Sequence, residues 1–156
     1  MKRTGLIVMC ASVLILGIGC YWLFSNEEKK IRKSVTELQD AFRKPPSSNL
    51  IEKATSILRI CQKFTDDFQG SIDRISIRDE RSLKETVSWT IQLLAPLETL
   101  VDFESIRIQK PEAEAVVTLS ILESREPELH RPEYRLKVTF FKSKNRWLLR
   151  SAEEIK

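Results

Sequence analysis

Hydrophobic and polar positions change their spacing twice along this chain. Gly5 to Phe24 is an unbroken run of twenty residues without a charge. Behind it, apolar residues recur mostly at helical spacing as far as Leu94, and from Val101 onward they alternate every second residue. Twenty helical residues rise about 30 Å, enough to cross a bilayer's hydrocarbon core. Tyr21 and Trp22 stand near one end of the run, where amphipathic rings favour the headgroup layer.

The next segment reads as three helices and a short strand. Ser25 with Glu28 forms a capping box, and Ile31, Val35, Leu38 and Phe42 make one apolar stripe until Pro45-Pro46 ends the helix. Asn49 with Glu52 starts a second helix, whose buried side is expected to carry Ile51, Ala54, Leu58 and Cys61, supported by Leu50, Ile57 and Phe64. Asp66, Asp67 and Gly70 are expected to close it with turn chemistry. Ser71 to Arg78 reads as a short strand on Ile75 and Ile77. Ser82 with Glu85 then caps a third helix, with Leu83, Val87, Ile91 and Leu94 on one face, Trp89 off it, and Pro96 as its stop.

Four strands follow. Val101 to Gln109 is strand-like with a slip between Phe103 and Ile106, the pattern of a bulge. Ala113, Ala115, Val117, Leu119 and Ile121 alternate with Glu114, Val116, Thr118, Ser120 and Leu122. Beyond a polar loop over 125–133, Tyr134, Leu136, Val138 and Phe140 do the same with Arg135, Lys137, Thr139 and Phe141. Ser143-Lys144-Asn145 turns into a last strand carrying Trp147 and Leu149 on one side, Leu148 and Arg150 on the other. Loops this short allow only antiparallel pairing. Helices first and a meander after them imply an α+β domain with helices on one sheet face.

The N-terminal run has three readings. A retained signal anchor over residues 1–25, with a domain over 26–156, is favoured by span length. A cleaved signal peptide finds only Gly17-Ile18-Gly19 as a cleavage pattern, and Leu16 to Cys20 is a degenerate lipobox with Cys20 as the candidate lipidated residue. Lys2 and Arg3 favour a cytoplasmic N-terminus, whereas Lys29, Lys30, Arg32 and Lys33 count the other way. Long translocated domains largely escape that count. The expected location is therefore a single-pass inner (plasma) membrane protein with an extracytoplasmic, periplasmic domain, the opposite topology being the alternative.

Charge and cysteine content narrow the partners. Of 26 basic residues only Lys2 and Arg3 precede the run, so the domain holds 24 against 22 acidic residues, too even for a nucleic-acid partner. Cys10 and Cys20 lie in the apolar run, leaving Cys61 without a disulfide partner or a thiolate metal site in the domain.

The third helix, the strand Ala113 to Ser124, and the ending Tyr134-Arg-Leu-Lys-Val-Thr-Phe-Phe-Lys with Asn145-Arg-Trp-Leu-Leu-Arg resemble the nuclear transport factor-like superfamily, which includes ketosteroid isomerases and scytalone dehydratases. The resemblance spans nearly all of the chain from Glu27. It implies a cone-like domain of three helices packed on a curved, mainly antiparallel sheet, with an apolar pocket inside and a dimer contact outside. On that frame Val117, Leu119, Tyr134, Leu136, Val138, Trp147 and Leu149 line the pocket. Val116, Leu122, Arg135, Lys137, Phe141, Leu148 and Arg150 form the outer face, a candidate surface for a homodimer or a membrane-protein partner, or simply scattered exposed apolar residues.

Isomerase-type members need a carboxylate base and an acidic donor in the pocket. His130, the single histidine, lies in the polar loop; Tyr134 with Asp102 or Glu104 is the nearest approach to an acid–base group. No zinc spacing, nucleophile elbow or phosphate loop occurs. The expectation is a membrane-anchored, non-catalytic binding or assembly module without cofactor or metal, similar in layout to the single-pass inner-membrane component of type IV secretion systems. The alternative is an anchored carrier of a small apolar ligand, or an isomerase-like enzyme using the cone.

Overall fold

A computed structural model describes residues 25–44, 48–93, 98–122 and 133–155. The expectations for Gly5–Phe24, Cys20, Pro45-Pro46, Leu94, Pro96 and His130 concern positions outside the described residues. Helix α1 runs over 25–43, α2 over Leu50–Cys61, and α3 over Glu80–Leu93. The strands are β1 (Phe64–Ile72), β2 (Ile75–Ile77), β3 (Glu98–Gln109), β4 (Glu112–Leu122), β5 (Glu133–Ser143) and β6 (Arg146–Glu154).

They form one six-stranded sheet in the order β2-β1-β6-β5-β4-β3. β3 to β6 make the expected antiparallel meander, and the slip between Phe103 and Ser105 sits where the alternation breaks in the sequence. The β5–β6 turn puts Lys144 in the left-handed region at φ 55°. The alternating residues separate as a two-sided sheet requires: Ala113, Ala115, Val117, Leu136, Val138, Phe140, Trp147 and Leu149 are buried beneath the helices. Ile31 of α1 and Phe140 of β5 are wholly inaccessible, and Leu83, Val87 and Ile91 seal α3 onto the same core.

Five local expectations need correction. Asp66, Asp67 and Gly70 do not end a helix; they belong to β1, which pairs parallel with β6. β1 holds Phe64 opposite Leu149 and Gln69 opposite Ser151, so three residues of irregular strand are absorbed between those pairs, and that bulge carries the turn-like Asp pair. The strand expected over 71–78 is two strands joined at Asp73, whose φ is 51°.

The face of α2 is also rotated from expectation. Ile60 is buried, and Ile57 and Cys61 pack on the core, while Leu50, Ile51 and Leu58 are 81, 77 and 53% exposed and Ala54 is exposed too. The stripe's periodicity was real, but the body it meets on its apolar side is small: α2 lies against α3.

Two caps differ from the expected pairs. At α3, Asp79 caps the helix: its Oδ1 accepts from the Ser82 backbone N–H at 2.7 Å, and Ser82 Oγ accepts from the Asp79 N–H at 3.1 Å. Ser82 thus takes the back-reaching place in the capping box, and Glu85 pairs with Arg81 instead. At α1, residue 25 is already helical and Glu28 accepts from Arg32, so Ser25–Glu28 is not the cap. Asn49 does cap α2, accepting from the Ile51 N–H at 2.9 Å.

Candidate functional site

Two polar side chains tie helix α1 to carbonyls of the sheet. Ser34 Oγ donates to the Trp147 carbonyl at 3.0 Å, and Gln39 Nε2 donates to the Thr99 carbonyl at 2.9 Å. Along the same helix, Val35, Leu38 and Phe42 face α3 and the strands across a cavity of about 280 Å³. Phe64, Phe68, Ile72 and Ile77 close it from β1 and β2, and Leu83, Thr86, Val87 and Thr90 from α3. Its polar lining is neutral: Gln39, Thr86, Thr90 and Thr99.

Val117, Leu119, Leu136, Val138 and Leu149 stand together on the wall of this cavity. Tyr134 and Trp147 do not join them. Tyr134 is half-buried against the core, opposite Leu119. Trp147 turns toward one end of the domain, where its indole N–H donates to Glu27 Oε2 at 2.8 Å. The acid–base grouping suggested by sequence does not assemble: Asp102 is exposed, and Glu104 lies on the outer face with its carboxylate on Arg135 at 2.6 Å and Thr118 Oγ1 at 2.9 Å. These bonds hold the Glu104 carboxyl below its usual range.

Sequence reasoning missed Glu27. It is 6% exposed, and its Oε1 accepts from Lys142 Nζ at 2.8 Å while Lys30 and Lys110 stand at 3.5 and 3.9 Å. Burial alone would raise this carboxyl; hydrogen bonds from Lys142 and Trp147, with the lysine charges, outweigh it and bring the pKa down from 4.5 to about 2. Glu27 sits four positions before Ile31 on the apolar stripe, and that was the available signal. The group is a fastener between α1 and the β5–β6 hairpin, and it is not among the residues lining the cavity.

On the outer face the candidate partner residues are laced by cross-strand ion pairs. Glu104–Arg135, Glu114–Lys137 at 3.1 Å, and Arg150 between Glu112 at 2.5 Å and Asp67 at 3.3 Å form successive rungs. Phe141 pairs with Leu148 under the Arg150 guanidinium, 5.6 Å from the ring centre. Val116 and Leu122 are each half-buried, opposite Lys137 and Glu98. The face therefore alternates charge pairs with single apolar side chains.

No protein-family model matches the chain, and no curated protein matches it. Solved structures do. An NTF2-like protein with a cystatin-like fold from Novosphingobium aromaticivorans superposes with a TM-score of 0.67 at 8% identity, covering 88% of this chain and 86% of its own. The fold is NTF2-like. An NTF-2-like protein of unknown function from Shewanella oneidensis gives 0.60 at 10% identity over 82% of this chain and 98% of its own. A putative scytalone dehydratase from Novosphingobium aromaticivorans gives 0.57 at 14% identity over 82% of both. At such identities the NTF2-like likeness is one of architecture.

Among the described residues, no helix is long and apolar enough to cross a membrane. No three His, Cys, Asp or Glu residues among them gather closely enough to hold a metal ion. Cys61 is a free thiol, raised above its ordinary pKa by burial and so a weak nucleophile.

Proposed function

We propose that this chain is a membrane-tethered binding module whose NTF2-like cone takes up a small apolar ligand without transforming it. One observation carries the reading: the described lining of the cone has no ionisable side chain, only hydrocarbon, three threonines and a glutamine. Proton transfer at carbon needs a titratable group within hydrogen-bond reach of the substrate. An apolar cavity of about 150 Å³ stays dry and takes benzene; about 280 Å³ suits a molecule of roughly two fused rings. The tether rests on the uncharged Gly5–Phe24 run immediately preceding α1, and the exported orientation on Lys2 and Arg3. Use of the outer face as an assembly surface is less favoured, since its charges already pair with each other.

Thermal unfolding of the full chain in mild detergent, with and without naphthalene as the probe, tests this. Ligand at a hundredfold its dissociation constant adds about 2.7 kcal/mol, a rise in Tm of about 5–10 °C for a chain of this size. Leu119→Trp, which fills the cavity from its wall, abolishes the rise while leaving the protein folded. A Tm that naphthalene and benzene leave unchanged at saturation would refute the reading.

A further inference from the structure

A second concavity of about 500 Å³ opens between α1, the end of α2 and the tip of the β5–β6 hairpin. Five cations line it, Lys30, Lys33, Arg59, Lys63 and Arg146, against one carboxylate, Glu37. Glu37 is taken by Lys63, and Lys30 reaches Asn145 Oδ1 at 3.4 Å, which ties the helix to the hairpin tip and draws the cations from three elements into one groove. The excess is local, because the domain as a whole is nearly neutral.

Two neighbouring features point to one kind of partner. At about 100° per residue, Leu58 and Ile51 project beside Gln62 and so flank the groove, while the exposed Ala54 and Leu50 continue the apolar strip away from it toward the start of α2. A surface with cations beside unpartnered leucine and isoleucine is the composition of a helix lying in a bilayer interface. The groove is also close in sequence to the uncharged run: Lys30 and Lys33 follow Phe24 by six and nine residues, and Lys33 is about 12 Å along α1 from residue 25.

We propose that this end of the domain docks on anionic lipid, with phosphate headgroups in the Lys30–Lys33–Arg59–Lys63–Arg146 groove and the Leu50–Leu58 stripe of α2 in the interfacial layer. The proposal builds on the tether of the preceding section, and gives the tethered domain a fixed seat on the bilayer. The cone's cavity shares no lining residue with the groove.

Hydrogen exchange of the full chain in nanodiscs, neutral against 30% phosphatidylglycerol, tests it. The hairpin over 142–147 and helix α2 exchange about tenfold more slowly in the anionic discs only, and Lys33→Glu with Arg146→Glu, or 1 M salt, erases the difference. Equal exchange in both discs overturns the docking, as does protection reproduced in neutral discs by inorganic phosphate alone, which would make the groove a soluble-anion site. Protection of α2 that is unchanged by lipid charge assigns its stripe to another part of the chain or a second copy, and also overturns the proposal. Failure of the chain to enter either disc removes the tether alone. Sedimentation with anionic against neutral vesicles then decides the groove: Lys33→Gln with Arg146→Gln should weaken anionic binding about 25-fold, at about fivefold per cation, and an unchanged affinity would refute it.

Discussion

Replacing Glu27 by Gln removes one charge from a place where 92% of the side chain is screened from water, while keeping its shape. The Trp147 indole can still donate to the amide oxygen, but the amide nitrogen then faces the Lys142 ammonium, a donor against a donor. A carboxyl lowered from 4.5 to about 2 has its charged form favoured by about 3 kcal/mol, at 1.36 kcal/mol per tenfold. Breaking a buried, hydrogen-bonded pair typically costs about 3–5 kcal/mol. Because Lys142 keeps 18% of its side chain exposed and can recover water, a loss of about 2–4 kcal/mol at pH 7 is expected. The pH dependence follows from the sign. The folded-state pKa lies below the unfolded one, so Glu27's contribution is complete above about 4.5 and disappears as the pH falls through about 2. Urea unfolding followed by circular dichroism, on wild type and Glu27→Gln from pH 7 to 2.5, should show a gap that is constant above pH 5 and narrows steadily below 4.5. Taking the difference cancels Glu37 and Glu104, whose carboxyls are also lowered. A gap under about 0.5 kcal/mol at pH 7, or one that persists undiminished at pH 2.5, would refute the assignment.

Five further substitutions probe the packing. Phe140→Ala at a wholly buried site should cost about 3–5 kcal/mol by the same unfolding assay. Asp79→Ala should cost about 1 kcal/mol by removing the α3 cap, whereas Glu85→Ala, at the site expected from sequence, should change stability by less than about 0.5 kcal/mol. Ile51→Ser should fall within about 0.5 kcal/mol of wild type while Ile60→Ala loses about 2–4 kcal/mol; the reverse order would place the buried face of α2 where the sequence suggested.

Much of the sheet could be read from the chain because β4, β5 and β6 alternate cleanly and are joined by short loops, so partner, direction and inward face follow from local geometry. The bulge near Phe103 was legible for the same reason, since one inserted residue inverts the alternation and leaves a visible slip. The wall residues Val117, Leu119, Leu136, Val138 and Leu149 were within reach of that logic. Tyr134 and Trp147 obey the same alternation but sit at strand ends, where inward-facing residues meet something other than the cavity.

β1 stayed hidden because its partner is β6, some eighty residues away and parallel, and its Asp66-Asp67 bulge imitates a turn. Periodicity fixed which residues of α2 share a stripe, but burial depends on what lies opposite, and only the packing of α2 on α3 shows that half the stripe meets no partner. Glu27 and the cationic groove belong to the same class. Hydrophobic period is a property of neighbours along the chain, whereas a salt bridge between residues 27 and 142, or a groove drawing cations from residues 30, 59 and 146, exists only after distant segments are brought within a few ångströms.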